Sequence, residues 1–328
     1  MKKIFLLSVT AVLTCNISFA KIWRVNNNAG ITANFTTAQA ANDAATVLAG
    51  DTIHLEPSAT SYGYLNCTKR LTWISTGAFL NIHPNQQYSP NVGALDALQA
   101  TVAGSENSVF HVYVNGTVTI GVQGIRLDRT FAGSTVSIDN YGNNVTNTVV
   151  INCYSRGDLY INTGNNNVVT NNIFEGTLNT YGGTAQASIT HNVFNASGAT
   201  PGTVNNASVT NNIFSKANAA YTFINSTVQY NMSGAADVLP AGNNNQNGID
   251  MNTVFADNNG NTDAAFVLKT GSPAIGAGTG AADLGAYGGS APFKLAMQPP
   301  IPAIYKIQAP AAPSGNTMNV TFSTKSNN

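Results

Sequence analysis

Two short segments bring arginine and aspartate side chains close together in the middle of this chain. They are GIRLDRT (124–130) and CYSRGDLY (153–160). Arginine side chains pair with carboxylates, and a carboxylate can act as an acid or a base, so this set could bind or cleave an acidic polysaccharide. The catalytic candidates are Arg126, Asp128, Arg156 and Asp158.

Three further residues of these segments are typical of a carbohydrate-binding surface. Tyr154 and Tyr160 offer rings that can stack on a sugar, and Arg129 adds a third cation. We treat these three residues as ligand-binding candidates. The alternative is structural, because the same arginines and aspartates could form salt bridges at the surface.

The region that follows offers little for acid–base catalysis. Between Leu159 and Ala236 the only charged or imidazole side chains are those of Glu175, His191 and Lys216. Glycoside hydrolysis usually uses two carboxylates roughly 5–10 Å apart. Polysaccharide β-elimination needs a base together with cations that neutralise the uronate. Since this region supplies neither set, the sequence favours a protein without catalytic activity.

The segment ADNNGNTD (256–263) places oxygen-bearing side chains at alternate positions, as calcium-binding loops do. These side chains belong to Asp257, Asn259, Asn261 and Asp263. The usual glycine at the sixth position and glutamate at the twelfth are absent, because Thr262 and Leu268 stand there. We therefore expect no cofactor, with calcium at this loop as the alternative.

A repeated phrase reveals the framework that must position these residues. Thr-(Asn/His)-Asn-(Ile/Val)-Phe begins at Thr170, Thr190 and Thr210, and a fixed short period is the mark of a solenoid. The apolar runs are short, alternating and β-branched, and Gly, Asn and Ser interrupt them, which predicts strands joined by bends. For the coil 159–177 we predict strands near Leu159–Ile161, Val168–Thr170 and Ile173–Phe174.

The repeat predicts two aligned columns of residues. The first is an asparagine column, in which stacked side-chain amides would form a hydrogen-bonded ladder and also occupy the bends, since asparagine tolerates positive φ. Its members are Asn152, Asn172, Asn192, Asn212 and Asn231. The next column is apolar and is predicted to point into the core; it comprises Cys153, Ile173, Val193, Ile213 and Met232.

The repeats resemble those of the right-handed parallel β-helix proteins of the pectate-lyase-like superfamily. FTTAQAANDAATVLAGDTIHLEPS (35–58) is similar to the N-terminal helical cap of that family. GSPAIGAGTGAADLGAYGG (271–289) is similar to the closing segment called choice-of-anchor Q, with Gly288 where that signature has an acid. The resemblance implies an all-β, single-stranded right-handed parallel β-helix with coils of ~20 residues. An N-terminal helix cap and a small C-terminal β appendage would complete this fold.

The N-terminus and the composition predict an exported protein. MKKIFLLSVTAVLTCNISFA has the charged, apolar and small-residue regions of a signal peptide, with cleavage expected after Ala20 and a lipoprotein at Cys15 as the alternative. No later stretch has the ~18 apolar residues needed to span a bilayer. The formal net charge is zero and there is no basic stripe, which argues against nucleic-acid binding. We expect a monomer that is secreted or held at the outer cell surface.

The chain divides into four predicted parts. These are the signal peptide 1–20, the cap 21–58, the β-helix with its closing segment 59–290, and a Pro-rich segment 291–328 with a hairpin from Ala303–Ile307 and Met318–Thr324. Cysteines 67 and 153 remain after cleavage. A buried free thiol at Cys153 is expected, with a Cys67–Cys153 disulfide as the alternative.

The sequence leaves two classes of function. The first is a non-catalytic glycan-binding, adhesin-like or structural solenoid, favoured by the missing acid–base set and the long polar walls. The alternative is a polysaccharide lyase or glycoside hydrolase acting on an acidic polysaccharide, which follows from the resemblance and from the arginine–aspartate segments.

Overall fold

Three parallel sheets wrap around one core in the described part of the chain. A computed structural model describes residues 20–83, 89–139, 145–181, 186–196, 201–216, 220–257 and 260–327. These residues form a right-handed parallel β-solenoid of about eight turns, which confirms the predicted all-β fold and its coils of about 20 residues. We name the sheets A, B and C, in the order in which each complete coil passes through them.

The strands are short, and strands of the same sheet pair in parallel from one coil to the next. Sheet A comprises β1 Ile22–Val25, β2 Thr52–Leu55, β4 Thr72–Ile74, β7 Val109–His111, β10 Arg126–Asp128, β13 Val149–Ile151, β16 Asn167–Thr170, β19 Ala187–Thr190, β22 Ala207–Thr210 and β25 Thr227–Gln229. Sheet B comprises β5 Ala94–Leu95, β8 Tyr113–Val114, β11 Phe131–Ala132, β14 Tyr154–Ser155, β17 Ile173–Phe174, β20 Val193–Phe194, β23 Ile213–Phe214 and β26 Met232–Ser233. Sheet C comprises β3 Leu65–Asn66, β6 Leu98–Ala100, β9 Val118–Ile120, β12 Val136–Ile138, β15 Leu159–Ile161, β18 Leu178–Thr180, β21 Gly202–Asn205 and β24 Tyr221–Ile224.

Alternation along each strand fills the core. In one coil Val169, Phe174 and Leu178 are fully buried and belong to one hydrophobic cluster that runs through the solenoid. Parallel pairing stacks each of these side chains on its equivalent in the next coil, roughly 4.8 Å away. Phe174 pairs in register with Phe194, which pairs with Phe214. The core is therefore a set of like-on-like stacks.

The outer face of sheet B is also apolar, and the segment 249–297 covers it. Ile173, Val193 and Ile213 are fully buried, but they pack outside the solenoid core in a second cluster with Phe255 and Leu284. The prediction that this column points into the core is therefore wrong for these residues, whereas Cys153, which was aligned with them, does belong to the core cluster. Successive residues of a strand, such as Ile173 and Phe174, point to opposite faces of the sheet. Both can be buried only if a further layer packs on the outer face.

Close packing of this covering segment depends on glycine. Gly285 has a φ of 77°, and a Cβ there would lie 2.8 Å from Cδ1 of Ile213. The side chain of Asn171 donates from Nδ2 to the carbonyls of Ala286 and Gly288, at 3.0 and 2.7 Å. The closing segment is thus fixed to sheet B by both packing and hydrogen bonds.

A helix and a hairpin flank the solenoid. The cap helix α1, Ala38–Asp43, begins after Thr37, whose hydroxyl accepts from the N–H of Ala40, and it buries Ala38 and Ala41 against the core. The remaining helices are α2 Met251–Val254 and 3₁₀ turns at Asp263–Phe266, Thr279–Ala281 and Leu295–Met297. Strands β27 Ala303–Gln308 and β28 Thr321–Lys325 form an antiparallel pair. None of the helices in the described residues has the length and apolar character that a membrane-spanning segment requires.

A buried asparagine ladder follows the bend between sheets A and B. Both the N–H and Nδ2 of Asn172 donate to Oδ1 of Asn192, at 3.0 and 2.9 Å, and the pattern repeats from coil to coil. The ladder residues are Asn172, Asn192, Asn212, Asn231 and Asn245. Each amide group therefore finds its partner in the adjacent coil, as a buried polar group must.

Asn152 lies outside this ladder, which corrects its predicted register. Cys153 takes the ladder position: its N–H donates to Oδ1 of Asn172 at 2.8 Å, and its sulfur accepts from the N–H of Thr130 at 3.4 Å. Asn152 lies one column earlier and has a φ of 55°, as Asn171 does. Two successive residues thus divide the roles that the sequence had assigned to one asparagine.

Both cysteines are buried free thiols, not a disulfide. Cys67 and Cys153 each belong to the core cluster. Burial raises the pKa of the Cys153 thiol to about 12, so its sulfur stays protonated and unreactive at neutral pH. The expectation for Cys153 is confirmed.

Candidate functional site

The four predicted catalytic residues do not form one site. Arg126 and Asp128 lie in β10 on the outer face of sheet A. Arg156 lies between sheets B and C, and Asp158 directly precedes β15 of sheet C. Because the three sheets face different directions, nearness in sequence brings these pairs to different surfaces. The four residues therefore do not share one face of the solenoid, and their catalytic roles stay predictions.

The sheet A pair has a histidine beside it. Arg126 donates from Nη2 to Oδ2 of Asp128 at 2.9 Å. Nδ1 of His111, in the neighbouring strand, lies 2.8 Å from the carbonyl oxygen of Asp128. Burial lowers the pKa of His111, so its ring is neutral at pH 7, Nδ1 carries the proton and Nε2 is basic.

Arg129 and Tyr154 are used within the fold. Arg129 is buried, and its Nη1 donates to the carbonyl oxygens of Gln298 and Asn327, which fixes the C-terminal segment to the solenoid. Tyr154 is fully buried on the covered face of sheet B, and its hydroxyl donates to Glu175. The ring of Tyr154 and the guanidinium of Arg129 are therefore both buried within the fold.

Asp158 and Tyr160 lie together on sheet C. Oδ1 of Asp158 accepts from the N–H and hydroxyl of Thr177, and Oδ2 accepts from the hydroxyl of Tyr160 at 2.9 Å. Burial and this hydrogen bond raise the pKa of Tyr160 to about 12. The ring of Tyr160 stacks on that of Tyr181 with centroids 6.0 Å apart, and Tyr181 is 45% exposed. An aromatic surface that could contact a sugar therefore exists on sheet C.

An uncharged groove lies where sheet C turns into sheet A. Its volume is about 580 Å³, and its lining is Asn166, Asn167, Val168, Gln186, Ala187, Ser188, Asn206, Ser208 and Asn225. Positive φ at Asn166, Asn206 and Asn225 turns the chain at this edge in three of four coils, and asparagine tolerates that conformation. Gln186 stands at the same position in the remaining coil. The groove therefore presents an amide side chain at this position in each of the four coils.

The two serines of the groove have free side chains. Val168, Ser188 and Ser208 pair in register on the outer face of sheet A. Both serines are exposed, and neither hydroxyl makes a hydrogen bond within the described residues. The sequence signal was present, since Ser188 and Ser208 are 20 residues apart just before the repeated phrase. Serine hydroxyls are not ionisable, so a pattern of charged residues does not include them.

Compared with protein-family models, curated proteins and solved structures, the chain shows no significant match. Its function therefore has to be inferred from the geometry and chemistry of its own surfaces.

The calcium candidate has one residue, Asn259, outside the described residues. Asp263 is fully buried and points away from solvent: Oδ1 lies 2.6 Å from Nε2 of His83, and Oδ2 accepts from the N–H of Ala296 at 2.7 Å. No group of three His, Cys, Asp or Glu side chains that could hold a metal ion occurs in the described ranges. Calcium binding by Asp257, Asn261 and Asp263 stays a prediction, and it would require Asp263 to give up these partners.

We expect His191→Asn to reduce the acid sensitivity of the fold. His191 packs against Gly289, and burial lowers the pKa of its imidazole. Below the unfolded pKa of about 6.5 the unfolded chain takes up a proton that the folded chain resists, so stability falls with falling pH. Asparagine occupies the same positive-φ column at Asn171 and Asn211, so the variant fits the backbone.

The measurement is the free energy of unfolding from urea melts at pH 7.5 and pH 5.5. Burial also lowers the pKa values of His54 and His111, and both residues are present in both proteins. The variant should therefore lose less stability than the wild type on acidification, but not none. A variant that loses as much stability as the wild type between these pH values would contradict the assignment to His191.

Proposed function

We propose that this protein is a secreted or cell-surface solenoid that binds a neutral glycan through the uncharged groove and does not cleave it. The observation that carries the proposal is the lining of that groove, which contains amides and hydroxyls and no ionisable side chain. Neutral sugars present hydroxyl groups, and amide and hydroxyl side chains can both donate to and accept from them.

The dimensions of the groove suit an extended polymer. Its volume of about 580 Å³ is within the ordinary range for ligand sites, roughly 300–1,000 Å³. Ser188 and Ser208 belong to successive strands, so a chain lying along the solenoid axis meets two equivalent hydroxyls ~4.8 Å apart. A repeating ligand therefore matches a repeating surface.

Secretion is supported by the signal-peptide pattern of residues 1–20, which lie almost wholly outside the described residues. The resemblance to pectate-lyase-like β-helix proteins and to the choice-of-anchor closing segment supports the same location. The stacked rings of Tyr160 and Tyr181 on sheet C offer a second contact surface for carbohydrate.

One observation favours the alternative of a polysaccharide lyase or hydrolase. His111 has a basic Nε2, and Asp128 and Arg126 lie beside it. Oδ1 of Asp128 is buried and makes no hydrogen bond within the described residues. A base, a carboxylate and a cation on one face are the groups that β-elimination requires. The alternative predicts that His111→Ala abolishes any turnover.

The test is to apply residues 21–328 to an array of neutral and acidic polysaccharides and to assay every hit for released products. Binding to neutral glycans without release is the expected result. If products are released and His111→Ala abolishes their release, the protein is the lyase or hydrolase of the alternative, and the proposal is wrong. Absence of binding to every neutral glycan would overturn it.

A further inference from the structure

A basic cavity lies between the solenoid and the C-terminal segments, away from the uncharged groove. Its volume is about 440 Å³, and its charged lining residues are Arg129, Lys294 and Lys325. Within the described residues its lining contains no aspartate or glutamate. Three cations thus line one open cavity, with no carboxylate in its described lining.

One carboxylate is paired with a cation of this cavity among the described residues. It is Asp128, whose Oδ1 lies 3.7 Å from Nε of Arg129. Asp128 is already paired with Arg126 through its other oxygen, at 2.9 Å. One carboxylate therefore serves two guanidinium groups, and Lys294 and Lys325 add two further positive charges to the cavity.

The guanidinium of Arg129 has a buried N–H group without a hydrogen-bond partner among the described residues. It is only 8% exposed, and its Nη1 is occupied by the carbonyls of Gln298 and Asn327. Its Nε is buried and makes no hydrogen bond within the described residues. Burial lowers the pKa of Arg129, the Asp128 carboxylate raises it and Arg126 lowers it, so a further anion nearby would stabilise the guanidinium. A buried cation with an unused donor is costly unless an anion completes it.

We propose that this cavity binds an oxyanion, a carboxylate, sulfate or phosphate group carried by a small ligand. Guanidinium and ammonium groups recognise such groups through charge-assisted hydrogen bonds. Tyr287 and Phe293, which also line the cavity with ring centroids 5.6 Å apart, offer an apolar wall for the rest of the ligand. The site is independent of the glycan groove, because the two share no residue.

The test follows the side-chain Nε–H signals of arginine by ¹⁵N–¹H NMR during titration with sodium sulfate, sodium phosphate or sodium acetate. The chain has five arginines, so Arg129→Lys suffices to assign the Arg129 signal. Sodium chloride at equal ionic strength is the reference. The expected result is a saturable shift of the Arg129 signal with at least one oxyanion, and the three salts separate sulfate, phosphate and carboxylate recognition.

Charge-matched variants locate the effect. Lys294→Gln and Lys325→Gln are expected to weaken the oxyanion roughly two- to fivefold each, as expected for single partly exposed charges. Lys306 belongs to the same hairpin as Lys325 but does not line the cavity. Lys306→Gln removes one positive charge and should leave the affinity for the oxyanion unchanged. A signal that moves no more than in chloride, or an equal loss in all three variants, would overturn the proposal.

Discussion

Asn192→Ala is expected to destabilise the fold by about 3 kcal/mol or more, because it removes the centre of the ladder. Nδ2 of Asn192 donates to the carbonyls of Val169 and Thr190 and to Oδ1 of Asn212, at 2.9 to 3.0 Å. Its Oδ1 accepts two hydrogen bonds from Asn172. Each buried group left without a partner costs about 1–3 kcal/mol.

The measurement is the free energy of unfolding from urea melts, with Asn115→Ala as the control. Asn115 is an exposed asparagine of the same solenoid, and exposed substitutions usually change stability by less than ~0.5 kcal/mol. Equal losses for the two variants would show that burial in the ladder is not what makes Asn192 matter.

Phe194→Ala is expected to destabilise the fold by about 3–5 kcal/mol, since it leaves a cavity in the core. The ring of Phe194 lies between those of Phe174 and Phe214, with centroids 5.4 and 5.2 Å away. Because each coil contacts only its neighbours, the adjacent coils cannot collapse into the space without breaking register.

Thermal and urea melts of the variant test this prediction. Phe194→Leu should cost less, as a smaller cavity remains. Phe322→Ala removes a ring that is 57% exposed in the C-terminal hairpin and should leave the unfolding of the solenoid unchanged. An effect of Phe194→Ala below about 1 kcal/mol would contradict the stacked core.

The strands of the regular coils could be predicted because alternation and a 20-residue period are local signals. The structure has Leu159–Ile161 and Ile173–Phe174 as predicted, and Asn167–Thr170 where Val168–Thr170 was expected. The C-terminal hairpin was also predicted, although its second strand is Thr321–Lys325 where Met318–Thr324 was expected.

The ladder register could not be fixed from sequence alone. Asn171 and Asn172 form a pair, so an upstream asparagine can be aligned with either of them. The coil step from Cys153 to Asn172 is 19 residues, whereas the next two steps, to Asn192 and Asn212, are 20. Only the hydrogen bonds decide which residue of each pair turns the chain and which joins the ladder.

The site was harder to predict than the fold. In a coil of about 20 residues a few positions along the chain move a side chain to another sheet, as Tyr154 in sheet B and Tyr160 in sheet C show. The layer over sheet B depends on contacts between Ile213 and residues near 285, which no short window of sequence contains. A groove lined by asparagine, glutamine and serine also contains none of the charged residues by which catalytic sites are recognised in a sequence.

The most direct test of the central claim is a calorimetric titration of the strongest neutral glycan hit into wild type, Ser208→Glu and Thr222→Glu. Ser208 lies in the groove, and Thr222 is an exposed residue of sheet C outside it. A carboxylate trapped beneath a neutral ligand lacks a partner, so Ser208→Glu should weaken binding roughly tenfold or more. Unchanged binding by Thr222→Glu completes the predicted result. If Ser208→Glu binds as tightly as wild type, the groove is not the glycan site.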